Sequence, residues 1–491
     1  MIGSPAQFPL ERPLVVVIAC DTFPPDVNGA ARFAERLSGG LQRRGHEVHV
    51  IAPSTNKRYG SYREVHDGVP IVVHRLKSYR IPQHKFLRFA SPIGLGKKLQ
   101  NLLERINPDA VHIQSHLNVG RFVAHQAKRA GLRIIATNHT MPENLIKYAP
   151  FVPSWLEPLA MRLAWFDAYR VLRLAEAVTT PTQKAADILI GATPIEKVLA
   201  ISCGIDAKQF ASAREVSLEH PTVLYVGRLD YEKRVHVLIE AVAQLPKELG
   251  VCLEIVGDGS ERQSLETWAG QLKIQDRVSF LGQIPDSELP GAFERATVFV
   301  MPSIAELQSI ATLEAMASGR PIIAANAAAL PHLVHEGDNG YLFEPDSADD
   351  LERRLRQVLS LPVADLQAMG RASLHLVQSH DIDKTVERFE QIYVGNFAQV
   401  LPTDDNLGTY TRPIDLTSAQ LASLQRLRDS ARNLRARAAS GVLERLNDVR
   451  GEAVEKFGEL GFEVLERSKK VGKSLDRSVR KALKRFKRDE R

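Results

Sequence analysis

The sequence predicts an α/β protein built from two successive Rossmann-like α/β domains, with a basic helical tail after them. Three observations carry this. Short continuous apolar runs such as Leu14–Cys20 (LVVVIAC) recur along the chain, as expected for strands buried on both faces of a parallel sheet. Helical patterns separate those runs, the alternation that produces βαβ units. The rhythm restarts at Thr222 and ends near residue 400, where the composition changes. A chain of 491 residues has room for two or three domains. Its hydrophobic content of 44% is normal for a globular protein with substantial cores.

Taken in order, Leu14–Cys20 is a central strand. A loop, Asp21 to Asn28, contains Pro24-Pro25. Asn28-Gly29 opens a helix, Ala30 to Arg44, which Gly45 stops, and Glu47–Ala52 is the next strand. This is a βαβ unit without the GxGxxG dinucleotide fingerprint. Gly29 still lets a phosphate or sugar approach the backbone closely. Lys77 to Lys98 mixes basic and aromatic residues in a loop-rich stretch. It reads either as a solvated connection or as an acceptor- or membrane-facing loop. Asp109–Gln114 is another strand. His112 and His116 stand four apart, but one falls in the strand and the other in the loop, so they are no helical metal pair. Arg133–Asn138 is a strand with His139 just beyond its end, where open α/β sheets bind ligands. The following Met141–Trp155 is apolar and aromatic, interrupted by three prolines. Ala177–Thr180 is a strand, and Thr182 is placed to cap a helix over Gln183–Ile190.

The second series opens with TVLYVGRLDYEKR from Thr222, read as strand, loop and helix. Gly227 turns the chain at the strand end. Arg228 and Lys233 put two cations at that sheet edge, as ligand groups or as a solvated loop pair. Asp258-Gly259-Ser260 makes a tight turn after the strand Glu254–Gly257. Val278–Leu281 is a further strand, the apolar run Thr297–Met301 ends as one, Pro321–Ala325 and Asn339–Phe343 follow, and Asp349–Leu359 is an amphipathic helix. No solenoid-type repeat is present.

Charge is unevenly spread. Leu416 to Arg491 carries 20 Lys and Arg against 11 Asp and Glu, so the chain's net +6 comes from its tail and the body is slightly acidic. A basic tail implies an acidic partner, a lipid surface or nucleic acid. Val464, Val471, Leu475, Val479, Ala482 and Phe486 recur at helical spacing, as in a helix lying in a membrane interface. A solvated helical tail or coiled-coil arm is the alternative, and five glycines from Gly441 to Gly472 argue against one rigid helix. Cys20, Cys203 and Cys252 are scattered and without CxxC, which suits buried thiols in a reducing compartment. The N-terminal residues show no signal-peptide pattern, and no apolar run is long enough to span a bilayer.

The stretch Met301–Pro321, MPSIAELQSIATLEAMASGRP, concentrates the chemistry. Glu306 is expected where a helix begins, and Leu307, Ile310, Leu313 and Met316 follow at helical spacing. Glu306 and Glu314, eight residues apart, would then project to one side about 12 Å apart along the axis. The first-turn N–H groups around Gln308, Ser309 and Ile310 offer an anion site between them.

This stretch resembles the signature of retaining glycosyltransferase family 4, whose members have the GT-B fold of two Rossmann-like domains facing a cleft. The glutamate pair, Ala315-Met316-Ala317 and Gly319-x-Pro321 match; Leu307-Gln308-Ser309 stands where the family has Gly-Phe-Gly. Cys203-Gly204-Ile205-Asp206 is similar to the family's Asn-Gly-Ile-Asp at its interdomain crossover. The resemblance divides the chain into an acceptor-side domain 1–203, a nucleotide-sugar domain 204–380, a crossover helix 381–401, a linker 402–415 and the tail 416–491.

The resemblance implies roles as well. His139, Arg228, Lys233 and Glu306 would act on the reacting sugar and diphosphate. Gly29, Gly227, Asp258, Gln308, Ser309, Ile310 and Glu314 would bind the donor, with Glu314 on the ribose and Val278–Gln283 beside the base. Met141–Trp155 resembles the acceptor-side segment of members acting on glycolipids. The only DxD tripeptide, Asp381-Ile382-Asp383, lies outside the second sheet and reads as structural, so no metal and no cofactor are expected. The function implied is hexosyl transfer from a nucleotide sugar, GDP-mannose or a UDP-hexose, to a membrane lipid such as a diacylglycerol glycolipid. The enzyme would be cytoplasmic, held at the inner face of the cell membrane by its tail. The alternatives are a soluble GT-B transferase acting on a sugar or small alcohol, and a binding protein whose tail holds nucleic acid, which the four charged site residues disfavour.

Overall fold

The computed structural model describes residues 12–26, 28–80, 88–142, 157–212 and 215–397, all within one compact unit, Met1–Pro413. The tail, the linker and most of Met141–Trp155 lie outside the described residues.

The first sheet draws on β1 (Val15–Ala19), β2 (Glu47–Pro53), β3 (Gly60–His66) and β4 (Val69–Leu76). A separate hairpin follows, β5 (Ser78–Arg80) with β6 (Arg88–Ala90). Then come β7 (Ala110–Ile113), β8 (Arg133–Thr137), β9 (Ala177–Thr180) and β10 (Leu199–Ala200). Their order across the sheet is β10-β9-β8-β7-β1-β2-β4-β3. Every pair is parallel except the edge pair β3–β4. That antiparallel edge was missed in the sequence. Its β3 is largely exposed and lacks the continuous apolar run that marks the central strands. The Lys77–Lys98 stretch, read as loop, contains the β5–β6 hairpin and the start of helix Leu95–Ile106.

The second sheet consists of β11 (Thr222–Val226), β12 (Cys252–Val256), β13 (Val278–Gly282), β14 (Val298–Met301), β15 (Ile322–Ala325) and β16 (Gly340–Phe343). It is wholly parallel, in the order β13-β12-β11-β14-β15-β16. Numbered within itself this is 3-2-1-4-5-6, the doubly wound order whose ligand crevice opens where the strand order reverses. In the first sheet the reversal lies between β1 and β7, in the second between β11 and β14. Those four strand ends are where a site is expected.

The chain crosses between the halves twice. The crossovers meet where Ile205 N donates to His380 O at 2.8 Å and Ile382 N donates to Ile205 O at 3.1 Å. Gly204 is required there: its φ is +73°, and a β-carbon would lie within 3 Å of Ile382. The closing helix Ile382–Val394 returns to the first half. Its Val386, Phe389, Ile392 and Tyr393 are buried in one apolar cluster with Phe33, Leu37 and Leu41 of helix Gly29–Arg43. Ile310 of the second half joins the same cluster. Asp381 caps the closing helix by accepting from the N–H groups of Asp383 and Lys384, which is the structural role expected of the DxD tripeptide.

Candidate active site

One cavity lies between the halves, and all four reversal strands contribute to it. Asp21, Thr22, Asn28 and Gly29 follow β1; Gln114 and Ser115 follow β7; Arg228, Glu232 and Lys233 follow β11; and Ala305 to Gln308 with Ile310 follow β14. His139 and Thr140, after β8, complete the first-half wall.

The second-half wall is charged and paired within itself. Lys233 donates to Glu306 in a close ion pair. Arg228 is held by Asp230, again closely, and by Glu232 at 3.1 Å. Asp230 also accepts from the backbone N–H and hydroxyl of Ser260, at 3.2 and 3.0 Å. Turn chemistry fixes this corner. A β-carbon on Gly259 would sit 2.3 Å from the Leu229 carbonyl, so no other residue fits. The chain bends at Gly227, just past the end of β11, as expected, and without a left-handed backbone. Gly227 leaves room for the Tyr225 hydroxyl, which a β-carbon would meet at 2.6 Å and which donates to the Arg228 carbonyl at 2.8 Å.

Glu306 is not on the helix. The helix runs Ile310–Ala317, and Ser309 is its N-cap, its hydroxyl accepting from Thr312 N. Serine in that position satisfies a first-turn donor and so sets the helix start at Ile310 rather than at Glu306. Glu306 therefore belongs to the preceding loop, and the axial spacing drawn for two glutamates on one helix does not apply. The loop is anchored on several sides. Thr182, which caps helix Gln183–Ala192 as expected, donates to the Leu307 carbonyl at 2.8 Å. The Gln308 amide turns to the crossover: its oxygen accepts from Cys203 N at 2.7 Å and its nitrogen donates to Ser202 Oγ at 3.0 Å. The Gln308 side chain thus ties this loop to the interdomain connection, while the residue still lines the cavity.

The first-half wall is nearly uncharged. His139 meets Gln114 Oε1 through Nε2 at 3.0 Å and leans on the ring of Phe33, with centroids 5.0 Å apart. Burial pushes its pKa down to about 4, so it is neutral at physiological pH. Asp21 accepts from Val119 N at 2.7 Å, Gly120 N at 3.3 Å and closely from Ser115 Oγ. It thereby caps helix Asn118–Arg129, and burial raises its pKa. Gly29 opens helix Gly29–Arg43, with Asn28 capping it by accepting from Ala31 N at 2.9 Å.

Of the residues singled out in the sequence, the cavity gathers Gly29, His139, Arg228, Lys233, Glu306, Gln308 and Ile310. Gly227, Asp258, Ser309 and Glu314 do not line it. Gly227 and Ser309 act through backbone and cap geometry, and Asp258 turns back on Gly259 N at 2.7 Å. Glu314 is buried against Arg36 of the first half. Gln114, Asp21 and Arg36 were missed. Gln114 ends an apolar strand, a place with a positional signal; a buried arginine inside an amphipathic helix has none. Among the described residues no three His, Cys, Asp or Glu side chains are grouped as metal ligands would be.

Residues 27–209 match the family described as Glycosyltransferase Family 4, and residues 207–374 match Glycosyl transferases group 1. A GDP-mannose-dependent alpha-mannosyltransferase of Mycolicibacterium smegmatis is 31% identical over 341 residues, 67% of this chain and 84% of that protein. The chain is a family 4 glycosyltransferase. The transferase is also 26% identical to an alpha-monoglucosyldiacylglycerol synthase of Streptococcus pneumoniae, over 79% of this chain and 88% of that one. In fold it matches sucrose-phosphate synthase from Thermosynechococcus elongatus with a TM-score of 0.64 at 20% identity, covering 78% of the transferase and all of the synthase. Anabaena HepE in complex with UDP and glucose matches with a TM-score of 0.60 at 19% identity, over 78% of the transferase and all of HepE. The transferase thus has the GT-B fold. No helix among its described residues is long and apolar enough to cross a membrane.

Proposed function

We propose that the transferase moves a hexosyl group, with retention, from GDP-mannose or a UDP-hexose to a membrane lipid acceptor of the diacylglycerol glycolipid kind. The observation that carries this is the pairing of relatives. The mannosyltransferase and the diacylglycerol glycolipid synthase both align over more than four-fifths of their own length. One relative is named an alpha-mannosyltransferase and the other an alpha-monoglucosyldiacylglycerol synthase. An α-linked donor giving an α-linked product is retention.

The cavity supports the chemistry. When the anomeric C–O bond breaks, the electron pair leaves with the diphosphate and positive charge develops at the sugar. Arg228 and Lys233 sit at one strand end beside the first turn of helix Ile310–Ala317, a constellation suited to a departing diphosphate. In the cleft their charge is held by Asp230, Glu232 and Glu306. Transfer of Lys233 to the diphosphate would free Glu306 for the sugar hydroxyls. Neutral His139 would hydrogen-bond near the anomeric carbon or C6 without adding charge. Glu314 would take the ribose, and no metal or cofactor is required. Charge stabilisation of this kind needs water excluded, hence a closed cleft.

The test is a matrix of GDP- and UDP-sugars against diacylglycerol, glycosyl-diacylglycerol, free sugars and small alcohols, with the product anomer read out. An α-hexosyl lipid is expected; turnover confined to water-soluble acceptors would overturn the lipid reading. The basic tail supports a peripheral position on an anionic, cytoplasmic membrane face, each engaged Lys or Arg contributing ~1 kcal/mol. Titrating the full chain and a chain cut at about Leu416 against anionic vesicles, neutral vesicles and duplex DNA separates lipid from nucleic acid. Loss of vesicle binding on truncation is expected, and tighter binding to DNA at equal salt would reassign the tail.

A further inference from the structure

Helix Gly29–Arg43 begins in the cavity and then reaches across to the other half. Two arginines one turn apart make the reach. Arg32 grips Asp286 with both guanidinium nitrogens at the rim. Arg36 Nη2 donates to Glu314 Oε1 at 2.8 Å, where the two side chains are only 9% and 6% exposed. The four charges form one cluster: Glu314 acts electrostatically on Arg32, and Arg36 on Asp286. Neither Arg36 nor Glu314 is stable in the interior alone, because a buried charge without its partner is strongly disfavoured. Each half therefore supplies what the other needs, and only contact of the halves supplies it. Among the described residues Glu314's carboxylate receives no hydrogen bond other than that from Arg36. Arg36 Nη1 is buried without an acceptor.

We propose that Arg36 is a positioning residue for the nucleotide end of the donor. Contact of the halves sets its guanidinium on Glu314 Oε1 and leaves Oε2 for ligand hydroxyls. The second-half carboxylate is then aligned only when the first half is in place, so nucleotide affinity and domain contact are one equilibrium. This rests on the reading of Glu314 as the ribose group.

The experiment uses the full chain, with GDP and UDP as calorimetric probes, donor KM and kcat, and small-angle scattering with and without nucleotide. Arg36→Met should weaken nucleotide binding roughly 5- to 150-fold, the usual span for coupled sites. It should raise donor KM more than it lowers kcat and reduce the compaction seen with nucleotide. Arg36→Lys keeps the charge but not the planar fork and should recover part of the loss. Combined with Glu314→Gln, Arg36→Met should add little, because residues acting as a unit are not additive. Unchanged nucleotide affinity in Arg36→Met while Glu314→Gln binds weakly would overturn the proposal, as would simple additivity. Unchanged affinity in Glu314→Gln would instead remove the ribose reading, whatever Arg36 does. If Arg36→Met fails to fold, Arg36→Lys and the doubly neutral pair decide in the same way.

Discussion

On the second-half wall of the cleft, four of eight lining residues carry formal charge: Arg228, Glu232, Lys233 and Glu306. On the first-half wall Asp21 alone does, and it is spent on capping a helix. The two walls are built the same way, from loops at the carboxyl ends of the two strands that flank a sheet's reversal point. Their difference is therefore chemical rather than architectural. Cations brought out of water are costly unless partnered, and the second wall solves this with its own acids before any ligand arrives. The first wall presents neutral groups to the cavity, His139, Gln114, Thr140 and Gly29 among them. Charge is concentrated where a diphosphate would depart and withheld where sugar and acceptor hydroxyls would lie.

The largest expected effect breaks the charged wall. Arg228→Ala or Lys233→Ala should cost ~2.7–4 kcal/mol of transition-state stabilisation, if they act like other preorganised donors, seen mainly in kcat. His139→Ala on the opposite wall removes no charge and should cost less. Equal losses on both walls would mean that charge is not what distinguishes them. Normal turnover in both cation variants would reduce the second wall to a structural network.

How much of this was legible follows the same division. Both sheets could be read because their central strands are uninterrupted apolar runs, and strand ends could be named because β–loop–helix order places them. That located His139, Arg228 and Lys233 without any contact being known. Edge strand β3 was not legible, since exposed edge residues carry no apolar signature. Glu306 was put on a helix because helical spacing starts at Leu307; Ser309's capping hydroxyl is a stronger signal than periodicity. Arg36 could not be read at all, and neither could the anchoring of the Gln308 side chain on the crossover. Their partners lie 278 and 105 residues away in sequence, and no local pattern encodes a cross-cleft contact.

A smaller effect sharpens the comparison through pH. Burial pushes His74, His116 and His139 down to about 4 and His112 to about 3 in the first half; in the second it pushes His380 to about 3 and lowers His332. An unfolded chain takes up these protons near pH 6.5, whereas the folded protein refuses them until pH 3–4. Between those limits the unfolded state binds more protons, so stability falls as pH falls from 6.5. Each histidine contributes up to ~1.4 kcal/mol per pH unit in that window. His66, raised by Glu35 and Glu64 against its burial, opposes one of them. Asp21, Asp26 and Asp67, raised by burial, oppose them lower in the range. Denaturant midpoints at pH 7.5, 6.0 and 5.0 should decline, and amide exchange should show the first half opening first. A flat profile, or earlier opening of the second half, would contradict the larger share of neutral buried histidines in the first half.

The smallest expected effect is none, and it tests whether the charged wall suffices. A departing diphosphate can be neutralised by a divalent cation or by protein groups. Here Arg228, Lys233 and the first turn of helix Ile310–Ala317 converge at the ends of β11 and β14. The one DxD tripeptide has its first carboxylate bonded to Asp383 N and Lys384 N at the start of the closing helix. If the protein supplies the charge, initial rates after exhaustive chelation should equal those before it, at saturating and at sub-saturating donor alike. The sub-saturating arm matters because a metal that only aided binding would show in kcat/KM and not in kcat. Activity lost on chelation and restored by Mg²⁺ or Mn²⁺ would show that the second wall's cations are not enough. In that case Arg228→Ala and Lys233→Ala should also lose less when metal is saturating, since two sources of positive charge at one diphosphate would partly replace each other.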